Sequence, residues 1–85
     1  MDEYIGMVKL FAGNFAPANY AFCDGSEMPI TADMPLFSII GTTYGGNGTS
    51  TFKLPNMDAS FTAKDGTTQT LKYIICLQGM FPPRT

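Results

Sequence analysis

The chain has 85 residues, room for one domain, and its composition excludes several functions. Its net charge is −2 and its five basic residues are scattered, so the basic stripe that binds nucleic acid is not expected. Hydrophobic residues make up 45% of the chain and charged residues only 14%, against roughly 25% charged residues in ordinary soluble domains. Some apolar surface is therefore expected to face a partner protein. The alternative is a compact monomer covered by Thr, Ser, Asn and Gly.

No segment is predicted to enter a membrane or to direct export. The longest apolar-rich stretch, residues 73–81, is far shorter than the roughly 20 residues that span a bilayer. Asp2 and Glu3 stand where a secretory signal has basic residues, so we expect synthesis in a cytoplasm without a signal peptide. Cys23 and Cys76 are too few for a disulfide framework and are predicted to be free, buried thiols.

The first predicted strand covers residues 7–11, where the side chains alternate between two faces. One face carries Val8 and Leu10, and the other carries Met7, Lys9 and Phe11. A lone strand near the start of the chain would leave its backbone groups unpaired. We therefore expect it to pair with, or lie beside, a strand near the end of the chain, within one chain or between chains.

A small hairpin is predicted next. Residues 20–23 are a short apolar run, and Asp24 and Gly25 form a dipeptide that favours a tight turn before residues 28–30. Pro29 cannot donate a backbone hydrogen bond, so its strand must lie at the edge of a sheet.

One short helix is predicted after this hairpin. Thr31 or Asp33 can cap its first turn, Pro35 suits its first position, and Gly41 ends it as a left-handed cap. Its apolar face consists of Leu36, Phe37, Ile39 and Ile40. A helix of two turns is marginal unless it packs on a sheet.

The long polar loop of residues 41–54 is predicted to be an ordered contact surface. It contains three apolar anchors, Tyr44, Phe52 and Leu54, which flexible linkers lack. Its Gly-rich centre allows sharp turns and close approach to a neighbour, and consists of Gly45, Gly46, Asn47 and Gly48. Because the loop has little apolar content, a neighbouring subunit is the expected source of the contacts that order it. The alternative is a loop packed wholly on its own domain.

The last third of the chain is predicted to be a hairpin. Residues 61–64 lead into the turn dipeptide Asp65-Gly66, and the return strand covers residues 68–78. One face of that strand carries Leu71, Tyr73, Ile75 and Leu77, and the other is apolar at Ile74 and Cys76. A strand that is apolar on both faces is predicted to be central in its sheet. The fold class is therefore mainly β with one short helix (α+β).

The sequence does not predict an enzyme. It has no histidine, which removes the commonest general base and metal ligand and leaves Cys23 without an imidazole partner. Two cysteines do not make a zinc site, so neither a metal nor another cofactor is expected. The Gly-rich loop lacks the Gly-Lys-Ser/Thr ending of a phosphate-binding loop. Asp24, Asp33 and Asp65 are interpreted as turn or cap residues.

Three motifs resemble a known family in their order along the chain. Residues 5–17 read IGMVKLFAGNFAP, residues 20–25 read YAFCDG, and residues 36–48 read LFSIIGTTYGGNG. The dipeptide Leu54-Pro55 and the ending LKYIICLQG of residues 71–79 extend the likeness. Together they resemble the phage tail collar domain, and especially its bacterial branch called microcystin-dependent proteins. The likeness covers residues 5–55 and 71–82.

The resemblance implies a small β-rich collar domain over residues 1–85, a unit that commonly forms trimers in tail fibres or related injection machines. Collar proteins usually continue after Leu-Pro with an Arg-rich motif and a long Gly-rich, often His-containing region. Here Leu54-Pro55 leads into Asn56 and Met57 and then a brief hairpin, so that distal head region is expected to be absent. The scaffold for assembly is then what remains.

Two functions follow as hypotheses. The first is a structural, self-assembling subunit of a tail fibre, injection apparatus or surface fibre, made in the bacterial cytoplasm and located in a virion tail or extracellular assembly. Its expected partners are further copies, as a trimer or an open polymer, and other tail proteins. The second is a receptor- or glycan-binding tip whose aromatic residues Tyr20, Tyr44 and Phe52 stack on sugars. The expected assembly residues are Tyr44, Gly45, Gly46, Asn47, Gly48 and Phe52 in the loop, with Met7, Val8, Lys9, Leu10 and Phe11 in the first strand; Asp24, Gly25, Asp65 and Gly66 are expected to be structural turns.

Overall fold

A computed structural model describes residues 3–83 and contains six strands and one helix. In chain order they are β1 (Val8–Phe11), β2 (Tyr20–Phe22), β3 (Glu27–Pro29), α1 (Met34–Ile40), β4 (Thr51–Lys53), β5 (Asp58–Thr62) and β6 (Thr68–Cys76). All strand pairs are antiparallel and form a larger sheet around β6 and a small sheet of β3 and β4. The predicted class, mainly β with one short helix, is confirmed.

Strand β6 is the centre of the larger sheet. It pairs with β1 on one side, where Val8 lies opposite Ile75, and with β2 and β5 on the other. The predicted pairing of the first and last strands is therefore confirmed, and it occurs within one chain. Because β1 completes the sheet of its own chain, removal of residues 1–11 is expected to unfold the domain.

The core lies on one face of the larger sheet. Ile75 of β6, Leu36 of α1 and Phe52 of β4 are buried together, so the helix and the small sheet cover this face. Tyr73 and Leu77 pack against the same cluster, as their alternation with Ile75 predicts. Burial of a large apolar side chain stabilises a fold by roughly 1.5–3 kcal/mol, which makes this cluster the main source of stability for so small a domain.

The predicted hairpin of residues 20–30 does not form. β2 pairs with β6 in the larger sheet, whereas β3 pairs with β4 in the small one, with Met28 opposite Phe52. The Asp24-Gly25 turn therefore carries the chain from one sheet to the other. Pro29 does lie in an edge strand, as its missing N–H requires, because the small sheet has only two strands.

The helix begins and ends close to its predicted limits. Asp33 precedes it at the N-cap position, but its side chain forms no cap hydrogen bond there, and burial raises the pKa of its carboxyl. Gly41 follows the last turn with φ +56° and ψ −141°, so it is not the left-handed cap that was predicted, and its N–H donates to the carbonyl of Phe37 over 2.8 Å. The Phe37 ring packs on Phe52 with the ring centres 5.5 Å apart, so the helix is held by the core and not by its caps.

Both cysteines are free and buried, as predicted. Cys76 lies on the face of β6 opposite the core, and its thiol donates to the carbonyl of Gln78 over 3.3 Å. A serine hydroxyl can make the same hydrogen bond, so we expect Cys76→Ser to lower the free energy of unfolding by about 1 kcal/mol, near the bottom of the range for a buried hydroxyl. Urea denaturation followed by circular dichroism measures this change. A loss of about 3 kcal/mol or more would show that the carbonyl of Gln78 does not accept the hydroxyl.

Candidate assembly surface

Large apolar side chains are exposed over much of the described surface. Ten of them lie in residues 3–83: Tyr4, Met7, Leu10, Phe15, Met34, Tyr44, Met57, Phe61, Met80 and Phe81. Phe15 is 70% exposed and Phe81 is 59% exposed. Single exposed apolar residues are ordinary, but a small domain with only 14% charged residues has little polar surface with which to isolate them. The protein thus presents apolar area that a partner can cover.

The Gly-rich loop is folded by hydrogen bonds from its own chain. The N–H of Gly45 donates to Thr42, and the carbonyl of Gly45 accepts from the N–H of Lys53 in β4. Farther along, the N–H of Gly48 donates to the carbonyl of Thr51. These contacts connect both ends of the loop to β4, so a neighbouring subunit is not needed to order it. These hydrogen bonds favour the alternative of a loop packed on its own domain.

Asn47 organises the centre of the loop. Its Oδ1 accepts hydrogen bonds from the N–H groups of Thr49, Ser50 and Thr51 at 2.8, 2.8 and 3.1 Å. Its Nδ2 donates to the hydroxyl of Ser50 over 3.2 Å. The hydroxyl of Thr51 donates in turn to Glu27 of β3 over 2.7 Å. Asn47 was expected to contact a neighbour, and its side chain is instead engaged within its own loop.

Loss of the Asn47 side chain is expected to loosen this loop measurably. Asn47→Ala removes an acceptor shared by three N–H groups, and we expect it to lower the free energy of unfolding by about 1–3 kcal/mol. Asn47→Asp keeps the acceptor and loses only the weaker donor, so we expect a loss below about 1 kcal/mol. Urea denaturation of both variants is the measurement. Equal losses in the two variants would contradict the role assigned to Oδ1.

Gly46 allows the loop to pack directly against the backbone of β4. Its φ is +95°, and a Cβ placed on it would lie 2.4 Å from the Cα of Phe52 and 2.7 Å from the carbonyl oxygen of Thr51. Only glycine fits so close to a backbone at such a φ. The close approach expected of these glycines therefore exists, and at Gly46 it is made to the chain's own strand.

The two aromatic residues of the loop, Tyr44 and Phe52, differ in their solvent exposure. Phe52 is 0% exposed and lies in the core, so its expected place at an interface, or against a sugar, is wrong. The alternation around it in β4 points Phe52 inward, towards Leu36 and Phe37. Tyr44, in contrast, is 51% exposed on a loop that its own hydrogen bonds hold in place. Tyr44 is the aromatic side chain of this loop that a partner can contact.

Strand β1 contributes to the core and to the surface. Val8 packs against the core, and Phe11 is half-buried on the opposite face of the sheet. Met7 and Leu10 are exposed, at 47% and 40%. Lys9 forms an ion pair with Glu3 over 2.7 Å, and this contact holds the pKa of the Lys9 ammonium above its usual value. The same ammonium lies 5.5 Å from the centre of the Tyr20 ring, on the surface, so Tyr20 is not an open platform for a sugar.

The two aspartate turns are built alike. Asp24 accepts from the N–H and the hydroxyl of Ser26, and the hydrogen bond from that hydroxyl is the main cause of the lowered pKa of its carboxyl. Asp65 accepts from the N–H and the hydroxyl of Thr67 at 3.0 and 2.7 Å, with the same effect on its pKa. Gly25 and Gly66 follow at positive φ, +80° and +91°. Asp65 and Gly66 lie in the turn between β5 and β6, whereas Asp24 forms an isolated antiparallel bridge with Asn56 and Gly25 lies in the connection to β3.

A small pocket of about 130 Å³ lies beside the first of these turns. Asp24, Asn56, Asp58, Lys72 and Tyr73 contribute to its lining. Its volume is below the roughly 300–1,000 Å³ of typical ligand pockets. Within residues 3–83 there is no group of three or more His, Cys, Asp or Glu side chains that could hold a metal ion. The described helix is too short to cross a membrane.

Sequence reasoning missed part of the exposed surface. Met34, at the start of the helix, is 60% exposed, and Phe61 in β5 is 44% exposed. No signal in the sequence marks either residue as exposed. Polar Ser60 and Thr62 flank Phe61, a pattern that favours an inward side chain in a strand. Met34 adjoins apolar residues of the helix that are partly or wholly buried.

Comparison with known proteins assigns a family to most of this region. The family model of the phage tail collar domain matches residues 6–62, from the residue before Met7 to the end of β5. The match includes β1, the helix and the Gly-rich loop. No curated protein matches the chain. No solved structure matches it either.

Proposed function

This chain belongs to the phage tail collar domain family, and on that premise we propose that it is a subunit that assembles with further copies of itself in a tail fibre or injection apparatus. As a collar domain it is a structural component of a phage tail. We propose further that residues 1–85 act as one collar-like unit, because β6, which lies beyond the matched residues, is the central strand on which β1 and β2 pair.

The observation that supports self-assembly most strongly is the apolar surface. Ten large hydrophobic side chains are exposed in residues 3–83 of a chain with few charges. Apolar surface is stabilised by about 25 cal/mol for each Å² removed from water, so a partner that covers several of these side chains gains several kcal/mol. A component of a tail has such partners at high local concentration, namely its own copies and the adjoining tail proteins.

Tyr44 is the residue that we propose for one of these contacts. It is half exposed, and the hydrogen bonds of Gly45 and Asn47 fix the loop beside it before any partner arrives. A rigid loop loses little conformational entropy on binding, and a tyrosine ring buries a large area with few rotatable bonds. Met7 and Leu10 of β1 offer further exposed apolar area.

The experiment is a measurement of mass by light scattering over a range of protein concentrations, with negative-stain images of the same samples. We expect species larger than a monomer. Tyr44→Ala should weaken assembly by about 1–2 kcal/mol and leave the free energy of unfolding nearly unchanged, because an exposed side chain contributes little to the fold. Thr43→Ala, at the preceding exposed position, is the matched control. A wild-type protein that remains monomeric at every concentration would contradict self-assembly.

The alternative role, a glycan-binding tip, has less support from the described residues. Of the three aromatic side chains expected to stack on sugars, Phe52 is buried and Tyr20 lies beneath Lys9. The pocket next to Asp24 is also small for a sugar. Binding of the purified protein to immobilised bacterial surface polysaccharide, abolished by Tyr44→Ala and not by Thr43→Ala, would favour that role over assembly.

A further inference from the structure

Strand β5 has one edge without a partner. It pairs with β6 alone, and its other edge faces no strand in the part of the chain that the structure describes. Four of its five residues are exposed, including Phe61, and no proline lies between residues 57 and 64. Natural proteins usually protect such an edge with charged side chains, proline, a bulge or a cover, because open N–H and C=O groups pair readily with another chain. In β5 only Asp58, the first residue, is charged.

The direction of the backbone groups in β5 fixes how a second strand can pair there. The N–H of Ala63 donates inward, to the carbonyl of Thr67 on the return side of the hairpin. Backbone groups of successive residues point to alternate edges of a strand. Phe61 and Ala59 therefore point their backbone groups towards β6, and Ser60 and Thr62 point theirs towards the open edge.

We infer that this edge pairs antiparallel with the same edge of a second copy of the chain, around a twofold axis that passes beside Phe61. This inference rests on the self-assembly proposed above and names a contact for it. In this register Ser60 lies opposite Thr62 of the second copy, and the two residues exchange their outward N–H and C=O groups. The twofold axis generates a second, identical Ser60–Thr62 pair, so the outward N–H and C=O groups of both copies have hydrogen-bond partners.

The sequence of the strand is complementary to itself in this register. Phe61 lies opposite Phe61 of the second copy as a pair without hydrogen bonds, the kind in which side chains come closest. Ala59 lies opposite Ala63 of the second copy, which leaves room for the two rings. Asp58 comes opposite Lys64 of the second copy, so opposite charges meet on both sides of the axis. Among the described residues, neither of these two side chains forms an ion pair within its own chain.

Neighbouring registers lack this match. With the axis beside Ser60, Phe61 faces Ala59 of the second copy and Lys64 faces Asn56, so the two aromatic rings separate and the charges lose their partners. An axis beside Thr62 brings Lys64 opposite Ser60 and leaves Asp58 opposite the glycine of the turn. The pairing of opposite charges and of the two aromatic rings therefore favours the register in which the twofold axis passes beside Phe61. An isologous contact of this kind closes at two copies, so larger assemblies need a second surface, such as the one that contains Tyr44.

Disulfide trapping tests the register directly. Across the axis, the Cα atoms of residue 61 in the two copies would lie about 4.5 Å apart, within the range that a disulfide spans. The Cα atoms of residue 60 would lie about 8–9 Å apart, too far for that bond. We expect Phe61→Cys to give a covalent dimer under mild oxidation, reversible by a reductant, and Ser60→Cys to give at least tenfold less. The native Cys23 and Cys76 are buried and leave this comparison clear.

A charge exchange provides the second arm. Asp58→Lys and Lys64→Asp should each raise the dissociation constant of the dimer about tenfold, because like charges then meet at both ends of the contact. The double variant should return to within about threefold of the wild type, since the same pairs re-form with opposite sign. Circular dichroism of each variant shows that the hairpin itself is intact.

The outcomes separate this contact from the proposed function. If the wild type assembles while the Ser60→Cys and Phe61→Cys variants cross-link equally, or neither cross-links, the β5 contact is refuted and self-assembly through another surface stands. If the double charge exchange fails to restore what each single change removes, the register around Phe61 is refuted. A wild type that is monomeric at every concentration, together with a Phe61→Cys variant that does not cross-link, refutes both.

Discussion

Gly46→Ala is expected to lower the free energy of unfolding by about 3–5 kcal/mol, a large part of the stability of so small a domain. The added Cβ would overlap the Cα of Phe52 and the carbonyl oxygen of Thr51, at 2.4 and 2.7 Å. Both atoms belong to the backbone of a strand and cannot turn aside as a flexible side chain does. The φ of +95° adds the strain that any residue with a Cβ has in this region.

Gly66→Ala is the matched control. Gly66 has nearly the same φ, +91°, but no heavy atom lies within 4 Å of the Cβ position. We expect a loss of about 1 kcal/mol from the backbone strain alone. Urea denaturation followed by circular dichroism gives both values, since the chain contains no tryptophan. If the two substitutions cost the same, the close approach of the loop to β4 does not hold the domain together.

The central part of the fold could be predicted from the sequence. In β6 apolar residues occupy both faces, and this pattern indicates a strand with neighbours on both sides. The helix was signalled by Pro35 at its start and Gly41 at its end. In each case the signal is local, because a pattern of burial or a backbone preference is written in adjacent residues.

The pairing of the short strands could not be predicted in the same way. β2, β3 and β4 have three residues each, too few for a period that identifies their partners. The Asp24-Gly25 dipeptide suggested a hairpin between the first two. The structure instead binds this turn to residues 54–57, with the N–H of Gly25 donating to the carbonyl of Pro55. The pairing of these short strands depends on contacts between residues about 30 positions apart, which cannot be inferred from adjacent residues.

The sequence predicted which residues form the loop of the candidate site, but it did not predict what several of them contact. In the Gly-rich loop, the side chain of Asn47 and the close approach of Gly46 are both used within the chain. One pattern indicates that Asn47 acts within the loop. The side chain of an asparagine in a turn can accept hydrogen bonds from the N–H groups of the next few residues, here Thr49, Ser50 and Thr51. A signal for the burial of Phe52 was present, since polar Thr51 and Lys53 flank it and apolar Leu54 follows two residues later, the alternation of a strand with one buried face.

The position of Phe52 leads to the second large effect. Phe52→Ala is expected to lower the free energy of unfolding by about 3–5 kcal/mol, the usual cost of removing a buried aromatic side chain and leaving a cavity. The ring is fully buried, packs on Phe37 and belongs to the same cluster as Leu36 and Ile75. The protein should therefore be largely unfolded or close to it at room temperature, and its assembly should fail for that reason.

Phe61→Ala removes a phenylalanine side chain from the surface instead of the core. It therefore separates a contribution to assembly from a contribution to folding. Phe61 is 44% exposed in β5, so its loss should change the free energy of unfolding by no more than about 1 kcal/mol. If it lies at a contact between copies, its loss should reduce the mass measured by light scattering while circular dichroism stays that of the wild type. Urea denaturation of both variants beside the mass measurement gives the comparison. A Phe52→Ala protein that folds with wild-type stability but no longer assembles would return Phe52 to the interface and contradict its place in the core.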